Sequence, residues 1–250
     1  MSVPRVLITL PCHNEAEILE ANVTALRAFC ETRLEGYHWR LLIADNASTD
    51  ATGAIGRGLA ERLMGVEYVR VAEKGRGRAL RQCWTEHESD IYAYMDADLA
   101  TELRHLPELL GAVRDGADAA IGSRLIPGAR VTDRSLSREV SSRGYNLCLW
   151  LFFRAPIRDA QCGFKAVSRS VRDRFLPLTR DSHWFFDSEL LLLAGRGGCR
   201  VREIPVCWRD DQVRDSKVRL IRDIVYFLRR ILDLRRRLWF DAELRARLRP

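Results

Sequence analysis

Short apolar runs alternate with longer amphipathic stretches through the first half of the chain. Runs such as RVLITL (5–10) are typical of strands covered on both faces, and apolar positions three and four residues apart predict helices. The predicted strands cover 5–10, 39–45, 65–71, 90–96 and 117–123, and the predicted helices cover 15–33, 50–63, 77–87 and 105–114. This alternation predicts an α/β fold with a mainly parallel, Rossmann-like sheet and helices on both faces.

The second half of the chain is less regular. We predict a helix over 137–153, a loop over 159–169 that leads into a strand, a helix over 183–196 and a strand over 199–208. A long helix follows over 217–239, and its apolar positions recur at three and four residues. These positions are Leu220, Ile224, Phe227, Ile231, Leu234 and Leu238. Arginines on either side of this stripe make the helix basic and amphipathic.

The composition is that of a protein able to build a full core. Of 250 residues, 47% are hydrophobic, and we expect one large domain. The longest apolar run, YNLCLWLFF (145–153), is far shorter than the roughly 20 residues of a spanning helix. The start of the chain does not resemble a signal peptide, so we expect a cytoplasmic location. Seven cysteines without a C-x-x-C pair predict reduced thiols.

The net charge of +7 is concentrated at the end of the chain. Residues 200–250 hold 15 Lys and Arg against 8 Asp and Glu, and the remainder is neutral. We therefore divide the chain into a body (1–215) and a basic amphipathic C-terminal helix and tail (216–250), which packs on the body or on a membrane surface. Nucleic acid and membrane headgroups are the two anionic partners to consider. The chain has no nucleic-acid-binding motif, which favours an anionic membrane surface over nucleic acid.

Polar clusters follow each of the first four predicted strands: PCHNE, DNASTD, EKGRGR and MDAD. Parallel strands end at one edge of the sheet, where such folds bind ligands. Asp96 and Asp98 in MDAD are one residue apart, and two such charges raise each other's cost of ionisation. They predict a positive partner or a solvent-facing strand end. Mg²⁺ or Mn²⁺ shared with a diphosphate would suit them, and the alternative is a strand end with a helix cap.

The other clusters predict a nucleotide beside these carboxylates. Asp45 is placed to accept hydrogen bonds from a nucleobase or a ribose, and Asn14 and Glu15 would frame the same base. Helix capping is the alternative for Asn14 and Glu15. Lys74, between strand and helix in a glycine-containing segment, offers a cation to a phosphate. GRGRAL lacks the third glycine of a dinucleotide-binding fingerprint.

Eight motifs occur in an order and spacing that resemble family 2 glycosyltransferases with a GT-A fold. They are PCHNEAE, DNASTD, EKGRGRALR, MDADLAT, IGSR, DAQCGFKAVSR, WFFDSELL and IPVCWRDDQVRDSKVRLIRD. The resemblance covers about residues 5–225. Within the family, the QCGFK and DSKV stretches resemble the polyprenyl- and dolichyl-phosphate sugar transferases, especially the dolichyl-phosphate glucosyltransferases.

The resemblance implies a role for each motif. It implies a nucleotide-sugar site at Pro11, Asn14, Glu15, Asp45, Asn46, Lys74, Asp96 and Gln161. It implies a metal site at Asp96 and Asp98, with Asp98 as the principal ligand. It implies an acceptor-phosphate site at Arg124, Arg138, Ser142, Arg143, Ser216 and Lys217. Asp187 and Glu189 would close the site. The family usually has a second aspartate where this chain has Asn46, and the mannosyltransferase branch often has glutamine where this chain has Ala100.

The implied reaction is a single inverting transfer of a hexose from a nucleotide sugar, with UDP-glucose first, to a polyprenyl phosphate. A phosphate is already an anion and needs positioning rather than a base. Asp187 or Glu189 would serve as a base only for a hydroxyl acceptor. UDP-N-acetylhexosamine or GDP-mannose donors, a soluble or polysaccharide acceptor and an inactive sugar-nucleotide sensor are the alternatives. Membrane binding would use the basic helix, YNLCLWLFF or a separate membrane protein.

Overall fold

The computed structural model describes residues 3–209 and 220–248. The strands are Arg5–Cys12 (β1), His38–Asn46 (β2), Val66–Val71 (β3), Ile91–Met95 (β4), Ala119–Ser123 (β5), Arg130–Thr132 (β6), Phe164–Ser168 (β7), Val201–Pro205 (β8) and Cys207–Arg209 (β9). The helices are Leu19–Arg33 (α1), Thr52–Arg62 (α2), Arg76–Glu86 (α3), Leu106–Arg114 (α4), Leu136–Phe153 (α5), Arg169–Phe175 (α6), Phe186–Arg196 (α7), Leu220–Phe240 (α8) and Ala242–Arg247 (α9).

Seven strands form one sheet in the order β3-β2-β1-β4-β7-β5-β8. All neighbouring pairs are parallel except those of β7, which runs antiparallel to both β4 and β5. The predicted mainly parallel α/β fold is therefore confirmed, with one reversed strand. Strands β6 and β9 form a second, two-stranded sheet beside the edge where β4 ends.

Alternate side chains of the central strands enter two cores on opposite faces of the sheet, as the period of two requires. On β1, Val6 and Ile8 face the core under α1 and α4, whereas Leu7 faces the core formed with α3 and α7. Helices thus cover both faces, as predicted. Part of the predicted apolar stripe of α8 is buried. Ile231, Leu234 and Leu238 lie in the core formed with α3 and α7.

Most predicted elements form, and the differences have local causes. The strand predicted over 199–208 divides into β8 and β9, because the chain leaves β5 after Pro205 and pairs with β6. The helix predicted from 183 begins at Phe186, because Asp181 Oδ1 accepts hydrogen bonds from the backbone N–H groups of His183 and Phe185. The short elements β6, α6 and α9 were not predicted.

No helix within the described ranges is both long enough and apolar enough to cross a bilayer. The division at residue 215 falls outside the described residues and stays a prediction.

Candidate active site

The ends of β1, β2, β3 and β4 lie side by side at one edge of the sheet, because these strands are parallel. Cys12 pairs with Asp45, and Asn46 pairs with Val71, so the segments after these strands start at the same level. This edge gathers most residues predicted to bind a nucleotide sugar: Pro11, Asn14, Glu15, Asp45, Asn46, Lys74 and Asp96.

Three of the segments that follow these strands contain a residue with positive φ. The angles are 54° at Asn14, 53° at Ala47 and 52° at Leu99. Asparagine tolerates this region, whereas alanine and leucine seldom adopt it, and such strain concentrates at functional sites. Hydrogen bonds hold the turns in place: Asn14 N donates to Ser48 Oγ over 3.1 Å, and Leu99 N donates to the Asp96 carbonyl over 3.1 Å.

Asp45 is fully buried and accepts hydrogen bonds from its own protein. Its carboxylate accepts from Ser48 N at 2.9 Å, from Tyr68 Oη at 2.7 Å and from Arg70 Nη1 at 3.1 Å. Burial would raise the pKa of Asp45, but the hydrogen bonds from Ser48 and Tyr68 and the charge of Arg70 lower it overall. The carboxylate stays ionised and orders the loop after β2. Its contact with a nucleobase stays a prediction.

Asn46 connects β2 to the glycine-containing segment before α3. Its Oδ1 accepts a hydrogen bond from Gly75 N over 2.6 Å. His13 bridges the same two segments, because Nδ1 lies 2.9 Å from the Asn46 carbonyl and Nε2 lies 2.7 Å from Lys74 Nζ. The carbonyl must accept and the ammonium must donate, which assigns the proton of a neutral His13 to Nδ1. For its contact with Gly75 N, the side chain at position 46 has to supply only an acceptor oxygen, which asparagine provides.

Asp96 and Asp98 follow β4, and a guanidinium lies beside the first of them. Arg76 Nη2 donates to Asp96 Oδ1 over 2.9 Å. Asp98 is exposed, and its Oδ1 accepts a hydrogen bond from Ala100 N over 3.0 Å. The expectation of a positive partner for these carboxylates is met at Asp96. The sequence predicts Lys74 as a cation for a phosphate and does not single out Arg76, although Arg76 lies between the two glycines of the same motif.

The donor set at Asp96 and Asp98 fits a hard divalent cation. Two carboxylates at a strand end supply oxygen ligands, and the remaining ligands would have to come from a substrate. Within the described ranges, a group of three metal-ligating residue types lies elsewhere, at Glu102, His105 and Cys207. There the backbone N–H of Cys207 donates to His105 Nε2, and Arg104 donates to Cys207 Sγ over 2.9 Å. A guanidinium on the sulfur opposes a bound cation, so this group is a poor metal site.

Arg124 is predicted to meet a phosphate, and the structure joins it to the segment 159–163. Its Nε and Nη2 donate to the two oxygens of Asp159 at 2.8 and 2.9 Å; the Asp159 side chain is fully buried and that of Arg124 is 10% exposed. The same segment carries Gln161. It is pressed against the end of β4, since Asp96 N donates to the Gly163 carbonyl. The hydrogen bond from Asp96 N to the Gly163 carbonyl therefore places the segment that carries Gln161 beside the end of β4. A direct contact of Arg124 with phosphate stays a prediction.

Asp187 is buried in an ion pair with Lys165. Lys165 Nζ lies 2.6 Å from Asp187 Oδ2, which also accepts a hydrogen bond from Tyr94 Oη. Ser188 N donates to the other oxygen. Burial would raise the pKa of Asp187, but the charges of Lys165 and Arg76 outweigh burial and lower it. Lys165 also donates to the Cys162 carbonyl over 2.5 Å, which anchors the Gln161 segment. Lys165 is one of only three lysines, all within the motifs, and this bias indicates a need for a compact cation there without identifying Asp187 as its partner.

Glu189 joins the body to the C-terminal helix α8. Its Oε1 lies 2.5 Å from Arg237 Nη1, and its Oε2 accepts hydrogen bonds from the backbone N–H groups of Arg180 and Asp181. Every oxygen of the two carboxylates that could have served as a base therefore accepts at least one hydrogen bond from the protein.

The acceptor-phosphate candidates of α5 are not all on one surface. Ser142 is buried, whereas Arg143 is exposed and pairs with Glu139 over 2.6 Å. Arg138 is half-buried, one turn before Ser142. Ser216 and Lys217 lie outside the described residues. The phosphate-binding role of these residues stays a prediction.

An apolar groove of about 780 Å³ lies between α5 and α8. Its apolar lining includes Leu136, Val140, Tyr145, Ile224, Phe227 and Ile231. Gln161 and Trp184 also line it, and Trp184 stacks on Arg76, whose guanidinium lies 5.1 Å from the indole. Arg76 also donates to Asp96, so Trp184 and Arg76 form a wall with the groove on one side and the carboxylate pair on the other.

A family model, described as glycosyl transferase family 2, matches residues 7–176. The chain belongs to the family 2 glycosyltransferases. The match covers more than half of the chain and runs from within β1 to beyond β7, so it includes the carboxylate pair. The fold agrees, because the carboxylates lie where the parallel strands of a GT-A sheet end.

Named relatives extend the match to the C-terminal helices. The chain is 39% identical over 245 residues to glycosyltransferase AglD of Haloferax volcanii, covering 97% of this chain and 38% of that protein. It is 29% identical to dolichyl-phosphate beta-glucosyltransferase of Drosophila melanogaster, covering 81% of this chain and 66% of that one. The chain thus spans about two fifths of AglD and just under two thirds of the Drosophila protein.

Solved structures share the fold at low sequence identity. Glucosyl-3-phosphoglycerate synthase from Mycobacterium tuberculosis, in a complex with Mn²⁺, uridine diphosphate and glucosyl-3-phosphoglycerate, superposes with a TM-score of 0.65. The two chains are 16% identical, and the match covers 92% of this chain and 78% of that one. The likeness supports the GT-A fold.

Proposed function

We propose that this glycosyltransferase moves a hexose from a nucleotide sugar to the phosphate of a polyprenyl or dolichyl lipid, with inversion at the anomeric carbon. The observation that carries the proposal is the apolar groove between α5 and α8, which shares a wall with the Asp96–Asp98 pair. A sugar or a small phosphate acceptor has no apolar chain that could be buried in such a groove. A prenyl chain would fill it and gain about 25 cal/mol for each Å² of apolar surface removed from water.

The state of Asp187 also favours a phosphate acceptor. A hydroxyl acceptor needs a general base with an accessible oxygen and a pKa near the working pH. Asp187 is buried against Lys165 with a lowered pKa, and Glu189 is paired with Arg237. A lipid phosphate is an anion already, so the site has only to position it and to offset its charge.

The remaining roles follow from the edge of the sheet. Asp98, with Asp96, would hold Mg²⁺ or Mn²⁺, which supplies Lewis-acid stabilisation of the departing nucleotide diphosphate. Pro11, Asn14, Glu15, Asp45, Asn46, Lys74 and Gln161 would bind the nucleotide sugar. Arg124, Arg138, Ser142, Arg143, Ser216 and Lys217 would bind the acceptor phosphate. With these contacts, the lipid phosphate oxygen attacks the anomeric carbon while the bond from the anomeric carbon to the nucleotide diphosphate breaks.

UDP-glucose is the first donor to test, because three of the relatives are named dolichyl-phosphate beta-glucosyltransferases of the fly, yeast and human. UDP-N-acetylhexosamine and GDP-mannose are the alternatives. GDP-mannose is included because the chain is 29% identical over 225 residues to a polyprenol monophosphomannose synthase of Mycolicibacterium smegmatis.

Such an acceptor lies in a membrane, and both helices that border the groove expose apolar side chains. Trp150 and Leu151 are exposed on α5, and Leu232, Trp239 and Phe240 are exposed on α8. Exposed arginines accompany them on α8: Arg222, Arg229 and Arg236. We infer that this surface binds an anionic membrane from the cytoplasmic face, alone or beside a separate membrane protein.

Vesicle sedimentation tests the membrane surface. Phosphatidylserine vesicles should carry down more protein than phosphatidylcholine vesicles, and Trp239→Ser with Phe240→Ser should reduce the bound fraction several-fold. Met64→Ser is the control, because Met64 is also an exposed apolar side chain but lies at the turn between α2 and β3. If the double variant and the Met64→Ser control bind both kinds of vesicle to the same extent, this surface is not the membrane-binding surface.

Mass spectrometry tests the reaction. The protein is incubated with Mg²⁺ or Mn²⁺, a polyprenyl phosphate and each of a panel of UDP- and GDP-sugars. One donor should yield a lipid-phosphate sugar, and Asp98→Ala should abolish it while Asp115→Ala, an exposed aspartate at the end of α4, does not. Product with a soluble acceptor alone would overturn the lipid assignment. No donor turnover at all would favour an inactive sensor.

A further inference from the structure

The Arg76 guanidinium is fixed between two aromatic rings at the edge of the active site. Its centre lies 5.0 Å from the Tyr94 ring and 5.1 Å from the Trp184 ring. Contact with two rings restrains the guanidinium, whose N–H groups lie in its own plane. The plane leads to Asp96, which accepts the hydrogen bond from Nη2.

Most donors of this guanidinium are not used by the described residues. Among these residues its one side-chain hydrogen bond is that to Asp96, and its Nε is buried without a partner. An arginine guanidinium is always protonated in proteins, so the positive charge of Arg76 is retained. A buried, charged fork with unused donors is an anion site rather than a completed ion pair.

Close packing leaves Arg76 little freedom to turn away. A Cβ at Gly75 would overlap the Ser182 carbonyl, and a Cβ at Gly77 would overlap the Phe186 side chain. The turn before α3 is therefore pressed against residues 181–186, the segment that carries Trp184. Lys74, the cation that the sequence suggested, is directed instead to His13.

We propose that Arg76 binds the diphosphate of the nucleotide sugar, and that Tyr94 and Trp184 are positioning residues that hold its guanidinium plane. This inference rests on the proposed function for its donor. A planar fork matches two phosphate oxygens, and it adds a fixed positive charge to whatever Asp98 binds. Because Trp184 also lines the groove, it contacts the acceptor side and the donor side of the reaction centre at once.

Calorimetric titration of the full chain with nucleotides, without any lipid, tests the inference. The probes are UDP and GDP, each compared with its nucleoside, in the presence of Mn²⁺. Arg76→Met should weaken the diphosphate that the wild type binds by about tenfold to a hundredfold, the worth of a charged hydrogen bond. Binding of the nucleoside should not change. Arg76→Lys should recover part of the loss, and Trp184→Leu should weaken the diphosphate without removing a charge.

The matched control is Arg114→Met, because Arg114 also stacks on a ring, that of Tyr37, and pairs with Asp115 away from the site. Arg114→Met should bind both ligands as the wild type does. An unchanged diphosphate affinity in Arg76→Met would overturn the inference, as would an equal loss for diphosphate and nucleoside, which indicates a structural role. If Arg76→Met does not fold, the Trp184→Leu titration decides. Wild type that binds no nucleoside diphosphate would instead overturn the proposed function.

Discussion

Replacing Asp187 by Asn tests whether this carboxylate stabilises the fold or removes a proton. The side chain is 9% exposed and its partner Lys165 is 2% exposed, so the change leaves a buried ammonium without its counter-charge. Losing one partner of a buried pair costs about 3–5 kcal/mol. For a chain of this size that corresponds to a fall in Tm of about 6–20 °C.

Asp187→Asn should lower the free energy of unfolding strongly but should change kcat only slightly. If Asp187 is not a base, kcat of folded Asp187→Asn, measured well below its Tm, should fall less than about tenfold, whereas loss of a general base costs about 10²–10⁴. Urea unfolding and initial rates on the same samples give both quantities. Adding Lys165→Met to Asp187→Asn should cost less than the sum of the two changes, because no unpaired charge remains.

The control for this pair is Tyr94→Phe, which removes the hydrogen bond that Tyr94 Oη donates to Asp187 and the one it accepts from Lys165, and keeps both charges. It should cost about 1–3 kcal/mol. A folded Asp187→Asn protein that loses more than a hundredfold in kcat would refute the reasoning, and the case for an acceptor that needs no base would fail with it.

Three further predictions address the groove, the carboxylates and acid stability. Gly144→Phe should fill the groove and raise KM for a polyprenyl phosphate at least tenfold, whereas Gly58→Phe, also a helical glycine with open space around it, should not; equal effects would contradict the groove. Gly163→Ala should weaken donor binding, because its Cβ would overlap the Asp96 carboxylate; titration with a nucleoside diphosphate checks this, and wild-type affinity would count against the placement. The Arg124 charge outweighs burial and lowers the pKa of Asp159, so its stabilisation is present above the ordinary Asp pKa of about 3.9 and is lost as pH falls through the lower folded value. Tm measured from pH 6 to pH 2 should therefore fall less steeply in Asp159→Asn, and parallel curves would exclude this contribution.

The sequence predicted the elements whose pattern is local. Alternation located β1 to β5, and the rule that ligands bind where parallel strands end was enough to place Asp45 and Asp96 at one edge of the sheet. The direction of β7 could not be read this way, since a buried strand has the same apolar pattern whichever way it runs. Strands of three residues, such as β6, are too short to show a period.

Partners distant in the chain were beyond the reach of the sequence. Lys165 and Asp187 are 22 residues apart, and Arg76 and Asp96 are 20 apart. No periodicity links such positions, because only the packing of strand against helix brings them together. The apolar stripe of α8 was visible, but its division between the core, at Ile231 and Leu234, and the groove wall, at Ile224, depends on where α5 packs.

The central claim is that the acceptor is a phosphate whose prenyl chain lies between α5 and α8. It is tested most directly by kcat/KM for a series of phosphate monoesters, from one without an apolar chain through prenyl phosphates of increasing length. The account predicts that kcat/KM rises with each added isoprene unit until the groove is full, and that Gly144→Phe flattens the rise. A value of kcat/KM that is independent of chain length, or highest for the ester without a chain, would contradict it.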